Sequence, residues 1–244
     1  MFKKKESLSF EEAHSCVWKD RPPGGDIECW KEWWAYQLAG VFVGCVAWFM
    51  TLNEEFISEG VLHYMVETIH NTPNSYWKYP WFIYSGSAAL FGLIASLLTT
   101  YYGPAATGSG VAELVGYMNG VNYPGFISVR ALITKVVGVT FAVSGKLAVG
   151  KEGPLAHIGA ICGVLVLYIP KVGFEFLRND EKKRCFIAAG ASAGVSCAFG
   201  APIGGALFAY EMSKPNTFWT FDVIWRVFVT CAFANFTLGL LSSL

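Results

Sequence analysis

The chain has 244 residues, of which 54% are hydrophobic, 16% aromatic and 15% charged, and its 18 basic and 18 acidic residues cancel. A neutral balance excludes electrostatic binding to nucleic acid, which needs a basic excess. High hydrophobicity excludes a disordered chain, and the long uncharged stretches exclude a set of soluble domains.

Residues 1–32 are polar, open MFKKKES and carry six lysines and arginines. No apolar core of a signal peptide follows, and the positive-inside rule keeps this segment cytoplasmic. Trp33 to Asn53 holds no charge, and a span over about 33–52 is expected, since about 20 apolar residues cross a bilayer. A loop with Glu54, Glu55, Glu59 and Glu67 suits the opposite side of the membrane. Residues 80–100 make a second span, with Trp81, Tyr84, Tyr101 and Tyr102 at its ends as an aromatic belt. The remainder of the chain, through residue 244, reads as one transmembrane domain with 33–100.

After Tyr102 the apolar pattern is broken by Gly and Pro. GPAATGSG at 103–110 cannot be continuous helix, and a helix is expected from just after Gly110 to about Met118. A longer helix covers 126–149 and ends at the break VGKEGP (149–154). Short helices follow at about 154–169, 183–198 and 202–213, the last two separated by FGAP (199–202). A final span covers about 219–243. Lys171, Arg178, Lys182, Lys183 and Arg184 mark a second cytoplasmic linker. The fold class is all-α, a polytopic membrane protein of helices.

Backbone that leaves the helix inside a bilayer is tolerated only where protein or a water-filled cavity satisfies its polar groups. Interrupted apolar segments therefore point to a substrate site. A half-helix that starts there aims free N–H groups and its positive dipole end at the site, which favours an anion. Three breaks qualify: Gly108-Ser109-Gly110, Gly150-Lys151-Glu152-Gly153-Pro154 and Gly200-Ala201-Pro202. Close helix packing through small residues accounts equally well for any one of them, and Gly190-x-x-x-Gly194 fits that explanation. Ser109 brings a hydroxyl that can donate to an anion. Glu152 is a carboxylate at membrane depth, which is costly and points to function. Beside an anion site it acts as a tethered competitor that protonation releases. An ion pair with Lys151, Lys146 or Lys135 is the alternative.

The seven cysteines form no CxxC pair, and the four histidines have no metal-ligand spacing. Cys16 and Cys29 could pair only on an oxidising side. No GxSxG, HExxH or phosphate-binding loop is present, so no enzyme, cofactor or metal is expected.

GSGVAELVGYMNG at 108–120, GKEGPLAHIGA at 150–160 and AFGAPIGGALFAYE at 198–211 resemble the CLC family of chloride channels and chloride/proton exchangers, in order and in spacing. KKESLSFEEA at 4–13, WRVF at 225–228 and ANFTLG at 234–239 are similar to its endosomal and lysosomal eukaryotic branch. The resemblance implies the first half of an inverted repeat of broken, tilted helices, in a homodimer with one pore per subunit. It implies that Ser109 binds chloride, that Glu152 gates a voltage-dependent pathway, and that Gly108, Gly110, Gly150, Gly153 and Pro154 shape the backbone around the ion. It also places the helices of Ala206 and Leu240 near the subunit interface.

Three features depart from the family pattern. Val111-Ala112-Glu113 replaces the usual Ile-Pro-Glu, and alanine still favours the helix turn. Exchangers carry two glutamates where this chain has Glu211-Met212, and Met212 cannot relay a proton. The second repeat and the cytoplasmic regulatory domains of the family have no counterpart here. Passive chloride flow through the N-terminal half of a CLC-type channel is therefore expected. A chloride/proton exchanger, and a non-conducting membrane partner or truncated fragment of a longer family member, are the alternatives.

Overall fold

The computed structural model describes residues 26–71, 78–121, 123–170, 173–174, 177–178, 180–213 and 221–243. Eight α-helices form among them, and no strand. Helix α1 is Asp26–Asn71 and α2 is Lys78–Leu97, continued by a π-helical turn over Leu98–Tyr102. A short 3₁₀ turn, Pro104–Ala106, precedes α3 (Val111–Met118). Then come α4 (Val129–Ser144), α5 (Glu152–Leu167), α6 (Asp180–Phe199), α7 (Pro202–Ser213) and α8 (Phe221–Ser242).

Every expected break falls where Gly and Pro interrupt the apolar pattern, and α3 starts and stops as expected. Helix α4 is shorter than 126–149: Ser128 caps its start by accepting from the Ala131 N–H at 3.2 Å, and Gly145 closes its last turn by donating to the Phe141 carbonyl. The largest departure is α1. A loop was expected over Glu54–Glu67, yet α1 runs unbroken for 46 residues, about 69 Å at 1.5 Å per residue. Its second half is rich in helix formers and meets no proline before Pro73. The charges that mark the end of the apolar stretch do not end the helix. The part of α1 from Trp30 to His70, α2 with its π turn, and α8 are each long and apolar enough to cross a membrane. No residue of α2 is buried within the chain. The basic cluster that reads as a linker includes Lys182, Lys183 and Arg184, which belong to the first turns of α6.

Helices α5 and α6 form the centre, and small residues let their backbones touch. A Cβ on Gly190 would lie 2.9 Å from the carbonyl carbon of Gly159 and 3.1 Å from the Cα of Gly163. Gly194 abuts Leu155 in the same way, its Cβ position 2.7 Å from that residue's carbonyl carbon. Close approach of this kind is how helices associate where surrounding lipid is as apolar as leucine. Helices α1 and α8 pack on this pair, and Asn235 of α8 donates to Ser196 Oγ of α6. One end of the bundle is tied by charge. Glu32, 7% exposed, accepts from Lys182 Nζ at 2.6 Å and Arg226 Nη1 at 2.5 Å. It joins the starts of α1, α6 and α8 on one side.

Cys162, Cys185, Cys197 and Cys231 are buried free thiols, and Cys45 is a half-buried one. The Cys16–Cys29 pairing lies outside the described residues. No group of histidine, cysteine and acidic side chains that could hold a metal ion occurs among the described residues.

Candidate functional site

Two of the three breaks meet. A Cβ on Gly153 would lie 2.7 Å from Ser109 Cβ, so the start of α5 touches the loop that leads into α3. Glycine at 153 is what permits the approach. Gly110 is the residue before α3 and has φ +83°, a left-handed conformation that favours glycine. A side chain there would also strike His157 Nδ1 at 2.7 Å and Lys135 Nζ at 2.9 Å.

The two helix starts at this junction have no side-chain cap, unlike that of α4. Apart from the Val111 N–H, their first N–H groups are therefore left for another acceptor. Ser109 is exposed, and its Oγ accepts only a long 3.4 Å bond from the Val111 N–H. Its own proton is free to donate elsewhere. Gly108 is exposed with φ +71°.

Glu152 is exposed and opens α5, where a carboxylate is favoured by the helix dipole. Its side chain folds back over Gly150, where an added Cβ would lie 3.2 Å from the Glu152 carboxyl carbon. None of the three lysines weighed as its partner is paired with it among the described residues. Lys151 Nζ instead contacts Glu54 Oε2 at 2.9 Å, and Lys135 Nζ lies 2.8 Å from His157 Nδ1. Lys146 is exposed.

The Lys135–His157 contact is a part of the site that sequence reasoning missed. Lys135 is 2% exposed and His157 0%. His157 Nε2 lies 3.0 Å from the Phe126 carbonyl, which can only accept. Nε2 must carry the proton, so Nδ1 of a neutral imidazole accepts from the Lys135 ammonium. The imidazole also stacks on Phe126 with centroids 3.8 Å apart. A buried cation thus sits directly behind Gly110. The signal available was an ionisable residue inside each of two apolar helices.

The third break lies apart. Gly200 has φ +63° and is exposed, and no described contact brings it to Ser109 or Gly153. Helix α7 does reach the back of α3. Met212, 5% exposed, packs in one apolar cluster with Leu114, Met118, Ala160, Ile187 and Ala191. Glu211 points out of the chain and is exposed. Ala206 is buried in the chain's own core, in one apolar cluster with Tyr36, Phe186 and Cys231. A bulky residue there would disturb folding before it disturbed any subunit interface. Leu240 is exposed, as are Ile203 and Leu207 of α7.

The fold and this paired break define a polytopic membrane protein whose helices are interrupted at a shared point. Residues 91–244 match the family model described as voltage gated chloride channel. Chloride channel protein A of Dictyostelium discoideum is 34% identical over 223 residues, 88% of this chain and 25% of that protein. The human protein named H(+)/Cl(-) exchange transporter 7 is 33% identical over 222 residues, 88% of this chain and 27% of that protein. Among solved structures, a eukaryotic CLC transporter matches with a TM-score of 0.78 at 20% identity, covering 88% of this chain and 39% of that one. A slow cyanobacterial Cl-/H+ antiporter matches with a TM-score of 0.75 at 21% identity, covering 86% and 47%. The chain belongs to the voltage-gated chloride channel family, the CLC family. It spans about a quarter of the length of these curated relatives.

Proposed function

We propose that the chain supplies the first repeat of a passive chloride pathway. The observation that carries this reading is the contact of Ser109 with Gly153, which brings two uncapped helix starts to one point. Unpaired N–H groups and aligned dipoles suit an anion there. The Ser109 hydroxyl donates to the ion, Gly108, Gly110, Gly150 and Gly153 let backbone approach it, and the buried Lys135 ammonium adds positive potential from behind. Glu152 competes with chloride for the same place and so gates the pathway by voltage and pH. No step breaks a covalent bond, and no cofactor is required.

Selectivity tests the role of Ser109. Ser109→Pro, in the chain joined to the second repeat of a family member, is expected to shift preference from chloride toward nitrate. The readout is the reversal potential in mixed chloride and nitrate. Identical values before and after substitution would remove the hydroxyl from the site.

The rival reading is a chloride/proton exchanger, supported by the exchange transporter and the antiporter among the similar proteins. Against it stands Met212, an apolar thioether packed among Leu114, Met118 and Ile187. A proton route there needs a titratable group or ordered water. Glu211 is the next residue, about 100° around the helix, and cannot simply substitute. Uncoupled flow is expected, with a reversal potential that ignores a pH gradient at fixed chloride, and partial coupling after Met212→Glu. A pH-dependent shift in the unmutated protein would put the exchanger first.

A homodimer fits the exposed apolar side chains Ile203 and Leu207 of α7 and Leu240 of α8. Leu240→Trp should lower the crosslinked dimer fraction in detergent more than Leu93→Trp, and equal fractions would count against this face. By resemblance the membrane is endosomal or lysosomal, which immunolocalisation tests. A non-conducting partner of longer family members is the reading left if the joined chain carries no anion current.

A further inference from the structure

Beyond the gate itself, the structure shows what stands next to it. Lys151 is adjacent in sequence to Glu152 and has the reach to neutralise it. Yet its ammonium is turned to Glu54 of α1, at 2.9 Å. Both side chains are partly withdrawn from water, at 30% and 23% exposure. Ser144 Oγ, at the end of α4, also reaches this residue and donates to the Glu54 main-chain carbonyl at 3.4 Å. Three elements therefore converge on Glu54: α1, the end of α4 and the turn that opens α5. Arg130, in the first turn of α4, is exposed, Glu32 at the other end of α1 is held by Lys182 and Arg226, and His63, Glu67 and His70 lie exposed beyond Glu54 on α1. Lys135 is on His157, Lys146 is exposed, and Glu55 and Glu59 are exposed on α1. Glu113 is half-buried in the first turn of α3.

We infer that Glu54 is a positioning residue for the gate: it holds the Lys151 ammonium away from Glu152, so that the Glu152 carboxylate stays unpaired and able to compete for the anion site. The inference rests on the reading of Glu152 as the gate. Glu54 acts through Lys151 and touches neither ion nor gate. If Glu54 loses its charge, Lys151 is released and Glu152 is the carboxylate beside it. A paired Glu152 is a poorer competitor, and the pathway stays open more.

The test uses currents from the whole chain joined to the second repeat of a family member. Glu54→Gln is expected to raise the open fraction at 0 mV about threefold, the scale of a partly exposed ion pair. Glu54→Asp, which keeps the charge, should behave as the unmutated protein. In a Lys151→Met background, Glu54→Gln should add nothing, since no ammonium remains to be released. Ser144→Ala removes the neighbouring bond without freeing Lys151 and should leave gating unchanged. The inference is overturned if Glu54→Gln has no effect, if its effect persists with Lys151→Met, or if Ser144→Ala reproduces it. Glu152→Gln separates the two levels. If that variant leaves gating unchanged, the gate reading and this inference fall together. If it opens the pathway while Glu54→Gln does not, only the role of Glu54 falls.

Discussion

Glu152→Gln is expected to leave the chloride pathway open across pH and voltage, raising the open fraction at closing voltages by about tenfold or more. Tenfold corresponds to about 1.4 kcal/mol. Glutamine keeps the shape and the first-turn position of the side chain. On the reading of Glu152 as the gate, it removes the charge that competes with chloride and the proton that releases it. The measurement is single-channel or macroscopic current from the joined protein, with pH and voltage varied separately. Closure that survives with its ordinary pH dependence would remove Glu152 from the gate.

Gly190→Val is expected to prevent stable folding, with a loss of at least about 3 kcal/mol, the upper end of ordinary overpacking. The reason is that the added Cβ would lie 2.9 Å from the Gly159 carbonyl carbon and 3.1 Å from the Gly163 Cα. These are backbone atoms of a neighbouring helix and cannot rotate away as a side chain can. Helices α5 and α6 would have to separate along their shared face. Helix α5 carries Glu152 and Gly153 at its start, so separation would also pull Gly153 from Ser109. Gly239→Val is the control, because nothing lies within 4 Å of a Cβ there. Its effect should stay within about 0.5 kcal/mol. Thermal unfolding in detergent reads both, and equal melting temperatures would contradict the packing argument.

The breaks were legible because Gly and Pro act locally. The start of α3 at Val111, the start of α5 near Glu152 and the gap between α6 and α7 follow from residues within a few positions of each boundary. Ser109 and Glu152 were legible for the same reason, as polar side chains at the tips of two breaks. Long-range contacts were not. His157 and Lys135 are 22 residues apart on separate helices, and Lys151 and Glu54 are 97 apart. No periodicity links such positions, and only the packing of α1 and α4 against α5 brings them together. The length of α1 escaped for a different reason. Charge marks where a segment leaves the hydrocarbon, whereas a helix ends only where the backbone is interrupted, and residues 53–71 contain no proline.

The unbroken α1 turns the Glu54–Lys151 contact into a fulcrum. From Glu54 to Asn71 the helix projects about 25 Å. As a stiff rod, it moves its tip by about 2 Å for each 5° of tilt at Glu54. A force applied near His63, Glu67 or His70 would be carried along the rod to the Glu54–Lys151 contact, beside Glu152. Anything that grips the far end of this rod would bear on the turn that opens α5 from about 25 Å away.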